Sequence, residues 1–225
     1  MRTWIFTLLL AGGCSLSGQE FYTSLSEIDM NLSGNYLFQA RKNAEIIGSP
    51  FLVDEFVPGR IFVDNTWYDE VDLQFDVYNG YFVIKLDDGD YIIDPDKSNI
   101  DTIAFNDEIF VKKDRLGGKN MDLTYLSLLA DRNGYSLSKE YRTLLKAAIK
   151  EGGYQEAQPA EYKTMPPIYY VFKNSDTWEI RGTRTIAEIF DVAPKIVKSY
   201  MKEKEYKVSE ESDLIEVINY FAQSR

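Results

Sequence analysis

From residue 48 to about residue 147, apolar and polar positions alternate with a period of two, interrupted by turn residues. Residues 71–78 (VDLQFDVY) show it most cleanly, which places one set of side chains on a buried strand face. Asn79-Gly80 follows and is the strongest hairpin signal in the chain, because a tight turn needs positive φ at its central positions. Residues 81–84 then return as a strand. The same rhythm predicts strands at 60–63, 91–93, 100–105, 109–111, 123–129 and 135–144. Turns fall at Asp64-Asn65, at 87–90, at Asn106-Asp107 and at 132–134. Short strands about ten residues apart predict an antiparallel meander curled into an open barrel or half-barrel. A break falls at Glu151-Gly152-Gly153, after which residues 168–172 and 178–181 pair across a turn at 174–176 and complete the sheet.

From Thr183 the apolar period lengthens to that of a helix. Ile186, Ile189 and Phe190 share one face, and Ile196, Val197, Tyr200 and Met201 share another. Pro194 stands where an early helical proline is tolerated. Ser209 reads as an N-cap with acidic residues in the turn after it, and Leu214, Val217, Ile218 and Phe221 form the last stripe. The fold class is therefore α+β. An irregular lead-in at 19–47 precedes a β-domain at 48–182 and a short helical subdomain at 183–225.

The N-terminus has a different pattern. Arg2 is the only charge in the first 18 residues, residues 4–10 are an almost unbroken apolar run, and small residues follow. This is the order of a secretory signal peptide, here residues 1–18, and its core is too short to span a bilayer. Residues 10–14 (LAGGC) resemble a lipoprotein box, which makes Cys14 a candidate lipidation site. Ala11 stands where that box normally has a large aliphatic residue. Ordinary cleavage after Ser17 or Gly18, leaving Gln19 near the new N-terminus, is the favoured alternative. The mature protein is thus expected in the periplasm, at the outer membrane or outside the cell, with no membrane span and at most a lipid tether.

Composition narrows the chemistry. The chain has 225 residues, 44% hydrophobic and 14% aromatic, as a folded protein should. Its formal charge is −11, which repels phosphate backbones and argues against nucleic acid as a partner. It contains no histidine, which removes Ser-His-Asp and Cys-His catalysis and histidine zinc sites. Its one cysteine, Cys14, lies within the signal, so the mature body has neither thiol nucleophile nor internal disulfide. No cofactor is expected. Any remaining chemistry falls to Asp, Glu, Lys, Tyr, Ser or Thr.

Three stretches carry a resemblance: GSPFLVDEFVPG at 48–59, VDLQFDVYNGYFVIK at 71–85 and DLIEVINYF at 213–221. Together they resemble a family of uncharacterised exported proteins from Bacteroidota. That family has a Gly-Ser-Pro-Tyr-Leu opening, a Phe-Val-Pro-Gly step, a run of strands and a Lys-rich helical end. Phe51 stands here where the family has Tyr. The resemblance implies export and a β-rich fold, and it implies no catalytic residue. Physically, Phe51, Leu52, Phe56 and Val57 read as core, and Pro58-Gly59 as a type II turn.

Other residues invite chemical readings. Asp87, Asp88, Asp90, Asp94, Asp96 and Asp101 suggest calcium. However, the loop starting at Asp94 has neither the glycine at its sixth position nor the closing Glu of an EF-hand, so exposed acidic turns are the simpler account. Asp54-Glu55 and Asp69-Glu70 could supply paired carboxylates for glycoside hydrolysis, although an acidic protein offers many such pairs. Residues 136–139 (SLSK) read as a strand edge. Trp67, Tyr68, Tyr78, Tyr81, Tyr169, Tyr170 and Trp178 could line a sugar-binding face or simply fill a β-core. These observations favour a non-catalytic envelope or secreted module that binds a protein or glycan partner. The alternatives are a carboxylate-dependent hydrolase of envelope or extracellular polysaccharide and a component of a surface or secretion assembly.

Overall fold

The structure, a computed structural model, describes residues 30, 32–35, 46–115, 122–149 and 157–223. The expected signal peptide at 1–18 with Cys14, most of the expected lead-in and the 151–153 break lie outside the described residues. The described strands are β1 (Ser33–Asn35), β2 (Ile46–Ile47), β3 (Val57–Val63), β4 (Thr66–Asp76), β5 (Tyr81–Leu86), β6 (Gly89–Ile93), β7 (Thr102–Phe105), β8 (Glu108–Asp114), β9 (Leu123–Arg132), β10 (Tyr135–Lys146), β11 (Ala160–Lys173) and β12 (Asp176–Glu179). Three helices follow: α1 (Thr183–Ile189), α2 (Pro194–Glu203) and α3 (Glu211–Gln223). The protein is α+β, mostly strand, with a helical C-terminal part.

The turn chemistry explains the register. Asp64 and Asn65 (φ 47° and 64°), and Asn106 and Asp107 (φ 49° and 62°), take positive φ at both positions and close two-residue hairpins. Asn79-Gly80 differs from expectation. The loop has four residues, 77–80, and of the pair Gly80 alone takes positive φ (77°). The cause is Asp76, which is fully buried. Its carboxylate accepts from the Asn79 backbone N–H at 2.9 Å and from the Asn79 amide at 2.7 Å, and so holds a wider turn.

One sheet contains all the described strands, in the order β1-β6-β5-β4-β3-β7-β8-β9-β10-β11-β12, with β2 pairing β11 as well. Two departures from a simple run stand out. The chain crosses back after β6, so β7 pairs β3 rather than β6. And β2 joins β11 in parallel, which makes the sheet mixed. Both β1 and β2 fall inside the stretch expected to be irregular.

Burial is organised in two clusters. In the first, Phe82 on β5 meets Phe110 on β8 at 5.2 Å and Tyr125 on β9 at 5.4 Å between ring centres. These strands lie several positions apart in the sheet, so its inner face folds over on itself. In the second, Tyr135, Leu137 and Val171 are covered by Phe190, which follows α1, and by Leu214 and Phe221 of α3. Asn133 ties the edge of this layer down by donating to the Ala222 carbonyl at 2.9 Å. Pro194 opens α2 as the sequence predicts. Ile196 does not join the buried stripe of α2 and is 53% exposed, whereas Val197 and Met201 are buried. The first residue of α3 is Glu211, and Leu214 N–H donates to the Glu210 carbonyl, so Glu210 rather than Ser209 flanks the helix.

Candidate functional site

The motif at 48–59 acts as a strap along β4. The Pro50 carbonyl accepts from Val77 N–H at 2.9 Å, Leu52 N–H donates to the Phe75 carbonyl at 2.9 Å, and the Gln74 amide donates to the Val53 and Asp54 carbonyls. Leu52, Val53 and Val57 pack on the first core. Gly48 takes φ 77°, and a β-carbon there would lie 2.7 Å from the Tyr162 carbonyl oxygen. Pro58-Gly59 is not a turn, since both residues lie inside β3. Asp72 and Val71 pair with them, and next along β4 Asp69 and Glu70 face Arg60 in a bulge, with Glu70 at φ 59°. Beside the strap is an open groove of about 660 Å³, lined by residues such as Phe51, Asp54, Phe56 and Asp90.

The candidate aromatics do not form one face. Trp67 is on the surface, beneath the Arg60 guanidinium, while Tyr68 packs on the first core. Tyr170 is buried, and Tyr169 and Trp178 pack on the helical core. Among the carboxylate pairs, Asp69 is held by Arg60 and lies on an open groove with Glu70, and Asp54 lies on the strap groove. Asp94 receives the Asp96 N–H at 3.0 Å and the Lys97 ammonium at 3.1 Å. No group of three or more acidic or metal-binding side chains among the described residues is placed to hold a metal. Residues 136–139 are not an edge. Residues 135–139 pair with β9, and β11 covers the other side from Ser136 on, leaving Ser138 fully buried and Lys139 at 7% exposure.

Tyr78, Tyr81, Asp94 and Asp96 do come together. They line a cleft of about 370 Å³ with Asn79, Arg115, Asp122, Thr124, Glu140 and Tyr141. The cleft opens where the sheet divides. Strands β9 and β10 pair only as far as Ser127 and Lys139, after which β9 continues along β8 and β10 along β11. The 77–80 loop and the segment after β6 supply the remaining wall.

Arg115 organises this cleft. Its guanidinium reaches Asp122 and Glu140, each at 2.5 Å. Burial works against the Arg115 charge, but its bonds to Asp122 and Glu140 outweigh that effect and raise its pKa. The second Glu140 oxygen accepts from the Tyr170 hydroxyl at 2.9 Å, and Tyr170 is raised by burial and then by that carboxylate. Tyr141 donates to Glu108 at 2.5 Å and stacks on Phe110. The result is a polar recess with phenol rings on its walls and its cation already neutralised. Sequence reading missed Arg115, Asp122, Thr124, Glu140 and Tyr141. The available signal was Lys139-Glu140, a charged pair inside a strand between apolar positions. No protein-family model, curated protein or solved structure matches the chain.

Proposed function

We propose that this is an exported, non-catalytic module of the cell envelope or secreted fraction, and that it holds a glycan partner in the cleft between β9 and β10. The observation that carries the reading is the lining of that cleft, where Tyr78, Tyr81 and Tyr141 stand beside Asn79, Thr124 and a neutralised Arg115. Phenol rings offer apolar faces to a sugar ring, and the amide and hydroxyl groups fix its orientation. The export half of the reading rests on the signal pattern at 1–18 and on the resemblance to exported proteins. No helix among the described residues is long and apolar enough to cross a membrane. We read the sheet, folded over its Phe82–Phe110 contact, as a half-barrel with a helical cap.

A hydrolase is the second reading, favoured by Asp122 and Glu140 facing one cleft. Against it, both Glu140 oxygens are engaged, and Asp122 is bound to the same guanidinium. Titrating the purified protein with envelope oligosaccharides by calorimetry tests the proposal. Tyr81→Ala should weaken binding by roughly fivefold, equivalent to about 1 kcal/mol for one lost ring contact. Absence of binding to any oligosaccharide removes the glycan reading. Turnover that Glu140→Gln abolishes transfers the protein to the hydrolase reading.

A further inference from the structure

Beyond Lys139, strand β10 leaves β9 and runs on with β11 as a two-stranded ribbon, closed by mutual hydrogen bonds between Ile149 and Gln158 at 2.8 and 2.9 Å. The two edges of this ribbon differ. On β11, β2 pairs residues 160–161 and β12 pairs residues 170–173, and the stretch between them carries Pro166 and Pro167. Adjacent prolines remove an N–H donor from the outer edge and disfavour strand addition there. The β10 edge at 142–146 (RTLLK) has no proline and no strand partner on that side among the described residues. An unpaired row of backbone N–H and C=O groups is a template for another strand.

One face of the ribbon is cationic and partly apolar. Arg142, Leu144 and Lys146 are exposed, Leu144 at 53%, and they stand opposite Met165, Lys163 and Glu161 on β11. No salt bridge among the described residues engages Arg142, Lys146 or Lys163, and the Lys146 ammonium bonds only weakly to Gln158 at 3.4 Å. Glu179 on β12 also feels the Arg142 charge, so with Glu161 there are three cations against two carboxylates, a local reversal of sign in a chain of net charge −11. A second copy is a poor occupant. Antiparallel self-pairing centred on Leu144 would set Arg142 against Lys146 of the other copy, and like charges directly opposite destabilise a sheet.

We propose that the β10 edge at 142–146 is a docking site for an extended acidic segment of a partner protein, which adds to the ribbon as its next strand. Backbone hydrogen bonds supply the affinity, and alternate acidic side chains select the Arg142, Lys146 and Lys163 face. This edge begins directly after Tyr141, at the end of the cleft, and none of residues 142–146 lines the cleft.

The test uses the full chain and two synthetic peptides, one alternating Glu with Val and the other Lys with Val. Affinity is read by fluorescence anisotropy, amide protection by hydrogen exchange and oligomeric state by sedimentation. The Glu-Val peptide should bind and protect alternate amides within 142–146. The triple charge reversal Arg142→Glu, Lys146→Glu and Lys163→Glu, all at solvent-facing positions, should weaken it by about tenfold or more and transfer binding to the Lys-Val peptide. Failure of the Glu-Val peptide to bind overturns the proposal. So does binding that the triple variant leaves unchanged, or protection that falls outside 142–146. If these amides are already protected in a dimer of the free protein, the edge belongs to a second copy and the proposal is overturned.

Discussion

At Gly59 there is no room for a methyl group. A β-carbon there would lie 2.6 Å from the Ala104 carbonyl oxygen on β7 and 2.8 Å from a Leu73 methyl on β4. Gly59→Ala should therefore destabilise the protein by about 1–3 kcal/mol through overpacking, read from the urea midpoint at unchanged slope. The neighbouring Pro58 is tolerated because β7 pairs β3 only at residues 60–62, so no ladder bond is asked of it on that side. Pro-Gly has the same local chemistry in a turn and in a strand beside a bulge. Which one forms depends on how close Ala104 comes, and residue 104 lies far along the chain. That distance is why Pro58-Gly59 read as a turn.

At the scale of elements, Lys139 links three. Its ammonium lies 3.3 Å from Glu108 on β8 and 3.1 Å from Glu211 at the start of α3, and 4.5 Å from the Tyr141 ring. Burial works against its charge, but bonds to Tyr141 and Glu211 and the field of Glu108 raise its pKa. Lys139→Ala should cost about 2–3 kcal/mol, less than for a fully buried pair because the Glu108 and Glu211 side chains are 29% and 37% exposed. The Tyr141 phenol is pushed up to about 12, first by burial and then by its bond to Glu108. Its unfolded value is near 10. A group whose pKa is raised in the folded state stabilises fully below its unfolded pKa, and that contribution is lost as pH rises through the folded value. Lys139 has the same sign. Urea midpoints should therefore fall between about pH 10 and 12, and Tyr141→Phe should remove the Tyr141 share of that fall. The alternation of apolar and polar residues made β10 legible as a strand. It could not reveal that Lys139 is interior, because the carboxylates that make this tolerable come from residues 108 and 211.

For the molecule as a whole, the fold-over of the sheet rests on the aromatic cluster around Phe82. This ring meets Phe75, Phe105, Phe110 and Tyr125 and is fully buried. Phe82→Ala should cost about 3–5 kcal/mol in a chemical denaturation series. Trp67→Ala, at a ring 36% exposed beneath Arg60, should cost less than about 1 kcal/mol in the same series. The contrast separates residues that close the sheet from residues that merely lie on it. Much of the architecture was legible in advance. Alternation, turn residues and the change of period at Thr183 are local properties, so they determined most strands, several turns, the helical tail and the α+β class. The absence of histidine likewise determined that histidine-based catalysis and histidine metal sites are closed to the chain. Tertiary structure decided the rest. The return of β7 to β3, the parellel pairing of β2 with β11 and the parting of β9 from β10 depend on contacts between residues far apart in the chain. The cleft exists only because of that parting. Arg115, Asp122 and Glu140 become one group when strands diverge and a guanidinium bridges the gap, a geometry that no local period encodes.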